Sequence, residues 1–351
     1  MRIISAVAFL IVLISFAGCG RVFEPDIRTT DGISFVNKPV AQQPESLANL
    51  SLCSDHLGNL WYPVVVPDTN ATVPSESSSL PATFQLYTFN GRQHVLLYDN
   101  VPYSIEKIVP LDDYDFLLMN SKHIFQIHQN GTLTSLRQLG PNGLLMAIKM
   151  DGDKRIWAGG LGTGLLYRED EIWREYTESN SSLPNNSITA IHIDDQNDVW
   201  VATWLDHKIT RIMSGSWDVM TPDIDELWYQ IWDIEVDQSG VVWCGAGKEW
   251  APVKLLRYDG NSWQIIYPKD ESKSLVLDLV RHVELDAQNR LWIVSEKIVN
   301  NTVSQTLLAM WDGAVWREIL PPTGDKVIYD LQAADKGVWI SAEGEIAKVD
   351  Y

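Results

Sequence analysis

Short apolar runs, separated by clusters of Asp, Gly, Asn and Gln, recur along most of the chain. The pattern is clearest where such a polar cluster, which is typical of a tight turn, is followed at once by an aliphatic residue and a tryptophan. This motif reads SDHLGNLW, MDGDKRIW, IDDQNDVW, VDQSGVVW, LDAQNRLW and AADKGVW, and it ends at Trp61, Trp157, Trp200, Trp243, Trp292 and Trp339. From Trp157 onward the intervals are 43, 43, 49 and 47 residues, so one repeat runs through the chain.

Each repeat predicts four short strands. One apolar strand precedes the turn, the tryptophan lies in the second, and two more follow around a Gly/Asp turn, as in RYDGNSWQIIYP. The segment LDDYDFLL, residues 111–118, supplies a further unit with Phe116 in place of the tryptophan. Seven such units predict an all-β fold, a seven-bladed β-propeller in which the tryptophans fill the space between blades.

The ends of the chain predict how the ring closes. We place the blades at residues 47–98, 104–138, 144–179, 187–222, 230–269, 279–322 and 327–351. The last unit supplies three strands, and residues 31–40 resemble the missing fourth. Because a closed ring must hide its last edge, we expect this N-terminal strand to pair with the C-terminal blade. Residues 31–351 then form a single domain.

The first 18 residues have one basic residue, an apolar run and two small residues, which is typical of a secretory signal peptide. The segment FAGC, residues 16–19, resembles the lipobox of bacterial lipoproteins. This resemblance implies that Cys19 carries a lipid and that residues 19–30 form a tether. An ordinary signal peptide with an incidental cysteine is the alternative. The resemblance implies an exported protein, anchored in the cell envelope on the periplasmic or cell-surface side.

Charge and cysteine content limit the partners. The chain has 46 acidic and 27 basic residues, a net charge of −19, so its surface repels phosphate backbones and anionic head groups. We therefore expect no nucleic acid, a membrane contact through the N-terminal lipid only, and a monomer. Cys53 and Cys244 fall in non-neighbouring units, so we expect two buried free thiols.

The segment SLPNNSITAIHIDDQNDVWVATW, residues 182–204, resembles the two-component regulator propeller repeat, and residues 142–170 match that pattern nearly as well. In that family such propellers form the exported sensory part of hybrid histidine kinases, often in carbohydrate-responsive systems. Because residue 351 falls within the closing blade, the resemblance implies a stand-alone, sensor-like recognition module.

Aromatic residues outside the structural positions of the repeat mark a candidate binding face. They map to loops and connections of the fourth and fifth units, beside carboxylates and a histidine. The candidate ligand-binding residues are Trp204, Asp206, His207, Trp228, Tyr229, Trp232, Glu249 and Trp250. Indoles next to carboxylates suit a sugar or an aromatic ligand. The alternative is that these side chains only seal the ends of their blades.

A second candidate site lies on the innermost strands. Alignment of these strands places Lys107, Ala147, Ala190, Asp233, His282 and Asp330 at one position facing the central channel. Two carboxylates beside an imidazole could bind Mg²⁺, Ca²⁺ or Zn²⁺ or act as an acid/base pair, so Asp233, His282 and Asp330 form the candidate metal site. Channel side chains bridged by ordered water are the alternative.

The sequence has no Gly-x-Ser-x-Gly elbow, His-Glu-x-x-His, Cys-x-x-Cys or phosphate loop, and we assign no catalytic residue. The leading interpretation is an extracytoplasmic, lipid-anchored propeller that binds a small molecule, a glycan or another envelope protein. The alternative is a metal-dependent propeller lyase or lactonase-type hydrolase with its site at the channel mouth. No cofactor is identified beyond the candidate divalent metal in the channel.

Overall fold

A computed structural model of the protein describes a set of ranges with short gaps between them. These are residues 26–30, 33–37, 51–55, 58–67, 82–90, 93–101, 104–111, 115–204, 206–223, 229–247, 255–270, 273–275, 278–300, 302–321, 323–324, 326–334, 336–342 and 345–351. Every regular element in these ranges is a β-strand. A helix of the length and apolarity needed to cross a membrane does not occur in them.

The described chain begins with an antiparallel hairpin of β1, Asp26–Thr30, and β2, Ile33–Asn37. Four sheets of four strands follow, and in each of them the strands pair antiparallel in chain order. The first contains β3 (Cys53–Ser54), β4 (Leu60–Pro67), β5 (Ala82–Phe89) and β6 (His94–Val101). The second contains β7 (Lys107–Pro110), β8 (Phe116–Met119), β9 (His123–Ile127) and β10 (Leu133–Gln138).

The third and fourth sheets repeat this meander. The third contains β11 (Leu144–Met150), β12 (Ile156–Leu161), β13 (Leu165–Glu169) and β14 (Ile172–Tyr176). The fourth contains β15 (Ile188–Ile193), β16 (Val199–Thr203), β17 (Ile209–Met213) and β18 (Ser216–Met220). Repeated four-stranded antiparallel sheets of this kind form a β-propeller, so the predicted all-β propeller arrangement is confirmed.

The predicted fifth and sixth blades are joined in one sheet of eight strands. Its first half contains β19 (Gln230–Val236), β20 (Val242–Gly247), β21 (Leu255–Tyr258) and β22 (Trp263–Ile266). A small hairpin, β23 (Lys269–Asp270) with β24 (Lys273–Ser274), precedes the second half. The second half contains β25 (Leu279–Leu285), β26 (Leu291–Val299), β27 (Thr302–Trp311) and β28 (Trp316–Ile319).

A single pairing, between Gly247 at the end of β20 and Leu279 at the start of β25, joins the two halves. A glycine, which has no side chain, allows the two backbones to approach at this point. Strand pairing therefore delimits five separate sheets of three or four strands and one of eight, so the prediction of seven separate sheets is wrong.

The last sheet contains three strands, β29 (Ile328–Ala334), β30 (Gly337–Ala342) and β31 (Glu345–Asp350). We expected residues 31–40 to supply its fourth strand by pairing with β31. In the described residues β2 hydrogen-bonds to β1 instead, although Cα atoms of β2 lie within 8 Å of β31. The reason is that residues 26–30, predicted as part of a tether, form the strand that pairs with β2.

In four units the tryptophan after the polar turn is bonded to the aspartate that opens the turn. Oδ1 of Asp151 accepts hydrogen bonds from the backbone N–H of Asp153 and Arg155, and its Oδ2 accepts one from Nε1 of Trp157 at 2.9 Å. Equivalent indole bonds of 2.8 to 2.9 Å join Trp61 to Asp55, Trp200 to Asp194 and Trp292 to Asp286. Because a buried indole N–H needs an acceptor, the polar turn supplies what the tryptophan requires.

The core consists of seven apolar clusters in the described residues, and each cluster joins two units that follow one another in the chain. One of them connects the last sheet to the first through Trp339, Ile346, Leu60 and Phe89. The propeller is therefore closed by side-chain packing. Cys53 and Cys244 are buried free thiols in different units, as predicted.

Candidate functional site

A cavity of about 320 Å³ lies where the inner strands converge. Its lining includes all six residues that the sequence places at the channel position: Lys107, Ala147, Ala190, Asp233, His282 and Asp330. The strands that carry them are β7, β11, β15, β19, β25 and β29. The structure therefore brings these positions together around one axis.

A repeated backbone irregularity accompanies these residues. In five of the inner strands the pairing register shifts one residue before the channel position, as between Ile231 and Asp233 or between Val280 and His282. The other three shifts precede Ala147, Ala190 and Asp330. Such a β-bulge re-aims the side chain that follows it.

His282 lies between the two predicted carboxylates. Its Nδ1 is 3.9 Å from Oδ2 of Asp233 and 3.8 Å from Oδ1 of Asp330, and Nζ of Lys107 is also 3.8 Å from that Oδ1. Asp233 also accepts a hydrogen bond from the backbone N–H of Val283, on the next inner strand, at 3.2 Å. Asp330 accepts one from the backbone N–H of Leu52, the residue before β3, at 2.9 Å. The carboxylates thus fasten neighbouring units to each other.

Burial sets the protonation states in this group. It lowers the pKa of His282 to about 4, although Asp330 acts in the opposite direction. Burial raises the pKa of Asp233 to about 7, and repulsion by the charge of Glu235 adds to the shift. At neutral pH the imidazole of His282 is therefore uncharged, and Asp233 is divided between its protonated and ionised forms.

The residues do not fit the predicted divalent metal. Within the described ranges, no group of three or more His, Cys, Asp and Glu side chains has an arrangement that could hold a metal ion. Both oxygens of Asp233 and one of Asp330 accept hydrogen bonds from backbone N–H groups, and Nδ1 of His282 is almost 4 Å from both carboxylates. The combination of Asp233, His282 and Asp330 is better described as a hydrogen-bonding and electrostatic group than as a metal centre.

A second layer of polar residues lies two positions further along the inner strands. It contains Lys149, His192, Glu235, Glu284 and Gln332. Nδ1 of His192 is 3.2 Å from Oε1 of Glu235, and Oε1 of Glu284 accepts the N–H of Ala333 at 2.7 Å. The sequence alignment of the inner strands missed this layer, although the two-residue period of a strand predicts it.

The second layer is electrostatically coupled. Burial raises the pKa of Glu284 well above its ordinary value, and repulsion by the charge of Glu235 raises it further. Burial lowers the pKa of Lys149, but attraction by Glu235 and Glu284 outweighs that effect and the net shift is upward. Lys149 is therefore a charged ammonium inside the channel, and the carboxyl groups of Glu235 and Glu284 act on its charge.

Two of the predicted aromatic residues meet at the channel mouth. Trp204 and Trp232 pack edge to face with ring centroids 5.9 Å apart, and Trp232 lines the cavity. The guanidinium of Arg281 lies over the ring of Trp232, 4.1 Å from its centroid, and Nε of Arg281 is 3.1 Å from Oε2 of Glu296. Arg281 could not be selected from the sequence, because it is the extra residue of the bulge between Val280 and His282.

The remaining described members of the aromatic set lie in local contacts. His207 stacks on Tyr229 with centroids 4.5 Å apart, and Tyr229 is 2% exposed. Oδ1 of Asp206 accepts a hydrogen bond from Oγ1 of Thr203 at 2.7 Å. Tyr229 is buried, whereas Asp206 and His207 are partly exposed. Trp228, Glu249, Trp250 and the predicted lipidation residue Cys19 lie outside the described residues.

Several solved structures share this fold. Virginiamycin B lyase from Staphylococcus aureus has 13% sequence identity and a TM-score of 0.64, over 91% of this chain and 99% of that one. The extracellular domain of a hybrid two-component system from B. thetaiotaomicron has 15% identity and a TM-score of 0.59, over 87% and 38%. PorZ, a surface component of the type-IX secretion system of Porphyromonas gingivalis, has 15% identity and a TM-score of 0.58, over 92% and 49%.

At these identities the likeness shows the fold alone. No curated protein matches the sequence. The sequence itself carries a family signature at the fourth unit, where the resemblance was strongest: residues 182–205 match the two-component regulator propeller and confirm that recognition.

Proposed function

We propose that the protein is a seven-bladed propeller that acts as a binding module. The seven apolar clusters, each between successive units, support two blades within the eight-stranded sheet, one for β19–β22 and one for β25–β28. The position of β2 beside β31 supports closure by the N-terminal segment. In this arrangement the inner strands of all blades surround the cavity described above.

The observation that carries the binding proposal is the construction of the channel mouth. Trp232 contacts both Trp204 and Arg281, and its Nε1 donates to the carbonyl of Gly247 at 3.1 Å. The indole is therefore fixed before a ligand arrives, which reduces the entropy lost on binding. Polar groups of the two channel layers lie below it.

The chemistry of the lining favours a neutral or zwitterionic polar ligand with an apolar face, such as a sugar. The cavity volume lies at the lower end of the range for small-molecule sites, roughly 300 to 1,000 Å³. Lysines, histidines and carboxylates alternate around it, so an array of hydroxyl groups would find both donors and acceptors. The indole of Trp232 offers a surface for the apolar face of such a ligand.

We propose an extracytoplasmic location, with a lipid on Cys19 as the anchor. The lipobox-like sequence and the two-component regulator propeller match support this proposal. Two structures that share the fold, an extracellular sensor domain and a surface component, come from exported proteins. Metabolic labelling with an alkyne fatty acid tests the anchor: we expect label on the wild type and none on Cys19→Ala.

Binding is tested with a glycan and metabolite panel measured by isothermal titration calorimetry. We expect Trp232→Ala to weaken binding by about 1 to 3 kcal/mol, because it removes both the stacking surface and the support for Arg281. Trp316→Ala is the matched control, since Trp316 packs on Trp311 in an outer strand away from the cavity. Equal affinities for wild type and Trp232→Ala would remove the channel mouth as the site.

An enzyme is the second candidate, supported by one observation. His282 is uncharged at neutral pH between two carboxylates, the state that a general base requires. Virginiamycin B lyase, whose whole length matches this fold, provides a probe. Incubation with virginiamycin B, followed by liquid chromatography and mass spectrometry, would detect a product of equal mass but different retention time, which His282→Ala should lose. If wild-type protein leaves virginiamycin B intact, this lyase activity is excluded.

A further inference from the structure

A second cavity, of about 380 Å³, lies between the sheets β11–β14 and β15–β18. Its rim contains Asp153 and Asn197 in the turns after the inner strands, and Ser214 in the turn between β17 and β18. Trp204 and the channel mouth lie at the end of the strands opposite to this cavity, because β16 begins after the turn that contains Asn197 and ends beside Trp204. We name this cavity the 3/4 groove; it is separate from the channel site.

Four aromatic rings form a continuous series in the wall of the 3/4 groove. Trp157 contacts Tyr167 with ring centroids 4.4 Å apart, and Tyr167 is 6.2 Å from Tyr176. Tyr176 then meets Trp217 edge to face at 5.2 Å, across the boundary between the two sheets. Trp217 and Tyr176 are only partly buried, so the outer end of the series is accessible to a ligand.

This aromatic wall differs from the corresponding walls of the next two units. Tyr167 lies opposite Trp157 in the strand pairing, and the corresponding partners of Trp200 and Trp243 are Arg211 and Arg257. Those arginines cover their tryptophans, with guanidinium carbons 4.9 and 5.7 Å from the ring centroids. In the 3/4 groove a tyrosine with a polar tip replaces the charged cover.

Polar groups at the rim are fixed by contacts between the two sheets. Oδ1 of Asn197 accepts the N–H of Gly152 at 2.7 Å, and its Nδ2 donates to Oδ2 of Asp153 at 3.0 Å. Nη2 of Arg155 is 2.9 Å from the same Oδ2. The rim is therefore held in one geometry.

The second carboxylate of the groove is held in the same manner. Oδ2 of Asp198 accepts hydrogen bonds from both Nε and Nη2 of Arg211, at 3.0 and 2.7 Å. These contacts of Asp153 and Asp198 use Oδ2 of each carboxylate, and both residues line the groove.

Charge balance selects the class of ligand. Asp153 and Asp198 are each paired with an arginine, so a charged ligand would find little net charge of opposite sign in the groove. A hydroxyl-rich ring could donate to the carboxylates and place its apolar face on Tyr176 or Trp217. We propose that the 3/4 groove binds a sugar residue of a neutral oligosaccharide, independently of the channel mouth.

The test uses isothermal titration calorimetry and chemical-shift mapping with soluble cello-, xylo-, manno- and malto-oligosaccharides. At least one of these should bind the wild type, and Trp217→Ala should weaken that binding by about tenfold or more. Trp263→Ala is the matched control, because Trp263 occupies the same outer-strand position and stacks on Tyr258 at 4.9 Å, outside the groove.

Asp153→Asn provides a second variant with little risk to folding, because Asp153 lies on an exposed turn and the substitution keeps an acceptor for Asn197. We expect it to weaken binding while the melting temperature stays that of the wild type. Trp232→Ala separates the two sites, since it should leave binding in the groove unchanged. The proposal is overturned if none of the four sugars binds the wild type, or if Trp217→Ala and Trp263→Ala bind as the wild type does.

Discussion

Phe89 in the first four-stranded sheet and Trp339 in the last sheet meet edge to face, with ring centroids 5.5 Å apart and an interplanar angle of 82°. Both side chains are buried in the cluster that joins the two ends of the ring. We expect Phe89→Ala to lower the free energy of unfolding by about 3 to 5 kcal/mol, because it leaves a cavity in this cluster. Urea denaturation measures the change.

A double-mutant cycle separates ring closure from loss of apolar area. The variants are Phe89→Ala, Trp339→Phe and their combination. If the two rings interact across the closure, the two destabilisations should fail to add by about 0.5 kcal/mol or more. Additive effects would mean that Phe89 stabilises only its own sheet.

The bond between the turn aspartate and the indole predicts an asymmetry between units. Asp194→Ala removes the acceptor of the Trp200 indole and two turn bonds, to the N–H groups of Gln196 and Asp198. We expect a loss of about 1 to 3 kcal/mol, because a buried donor is left without a partner.

Asp237→Ala is the control for this prediction. Oδ1 of Asp237 accepts from the N–H of Ser239 and of Val241, and the described contacts give it no bond to Trp243. Asp237→Ala should therefore lower the free energy of unfolding by less than Asp194→Ala does in the same denaturation experiment. Equal losses for the two variants would show that the indole bond contributes little.

The channel predicts opposing pH effects on stability. The pKa of Asp233 is raised to about 7 in the folded protein. The contribution of Asp233 to the free energy of unfolding therefore falls as pH rises from about 4 to about 7. The pKa of His282 is lowered to about 4. The contribution of His282 to the free energy of unfolding is therefore lost as pH falls from about 6.5 to about 4. The two slopes therefore oppose each other over most of this window.

Asp233→Asn should reveal the histidine effect. Compared with the wild type, the variant should become more stable as pH rises from about 4 to about 7, because the opposing carboxyl group no longer titrates. Urea unfolding at successive pH values measures the difference. A wild-type and a variant curve that run parallel would show that Asp233 titrates near its ordinary value.

The hairpin β1–β2 predicts a role for the N-terminal segment in stability. Because β2 lies beside β31, deletion of residues 26–37 should expose the outer edge of the last sheet and lower the melting temperature. The same deletion should leave the cavity and its affinity for a ligand unchanged, since the strands that line the cavity are not part of this hairpin. An unchanged melting temperature would rule out closure by β2.

Much of the fold could be predicted because the tryptophan turns set the period. Trp157, Trp200, Trp243 and Trp292 all lie in the second strand of their units, as predicted. The link between Gly247 and Leu279 could not be predicted, because one backbone pairing between units leaves no period in the sequence.

The candidate site was only partly predictable for a similar reason. The inner-strand alignment identified Asp233, His282 and Asp330, since strand position repeats with the period of the fold. The alignment did not identify Arg281, because the bulge that brings this side chain to Trp232 is a feature of backbone pairing. Loop residues such as Tyr229 have no period in the sequence, so the burial of Tyr229 could not be predicted from it.

The bulge on five of the inner strands has a consequence for how such a protein can diversify. It uncouples the residue that faces the axis from the hydrogen-bond ladder on either side, so that position can change while the neighbouring sheet is preserved. Ala147 and Ala190 hold it with the smallest side chains in the set, opposite the charged group around His282. Substitution at these two alanines offers a direct route to new channel chemistry on an unaltered scaffold.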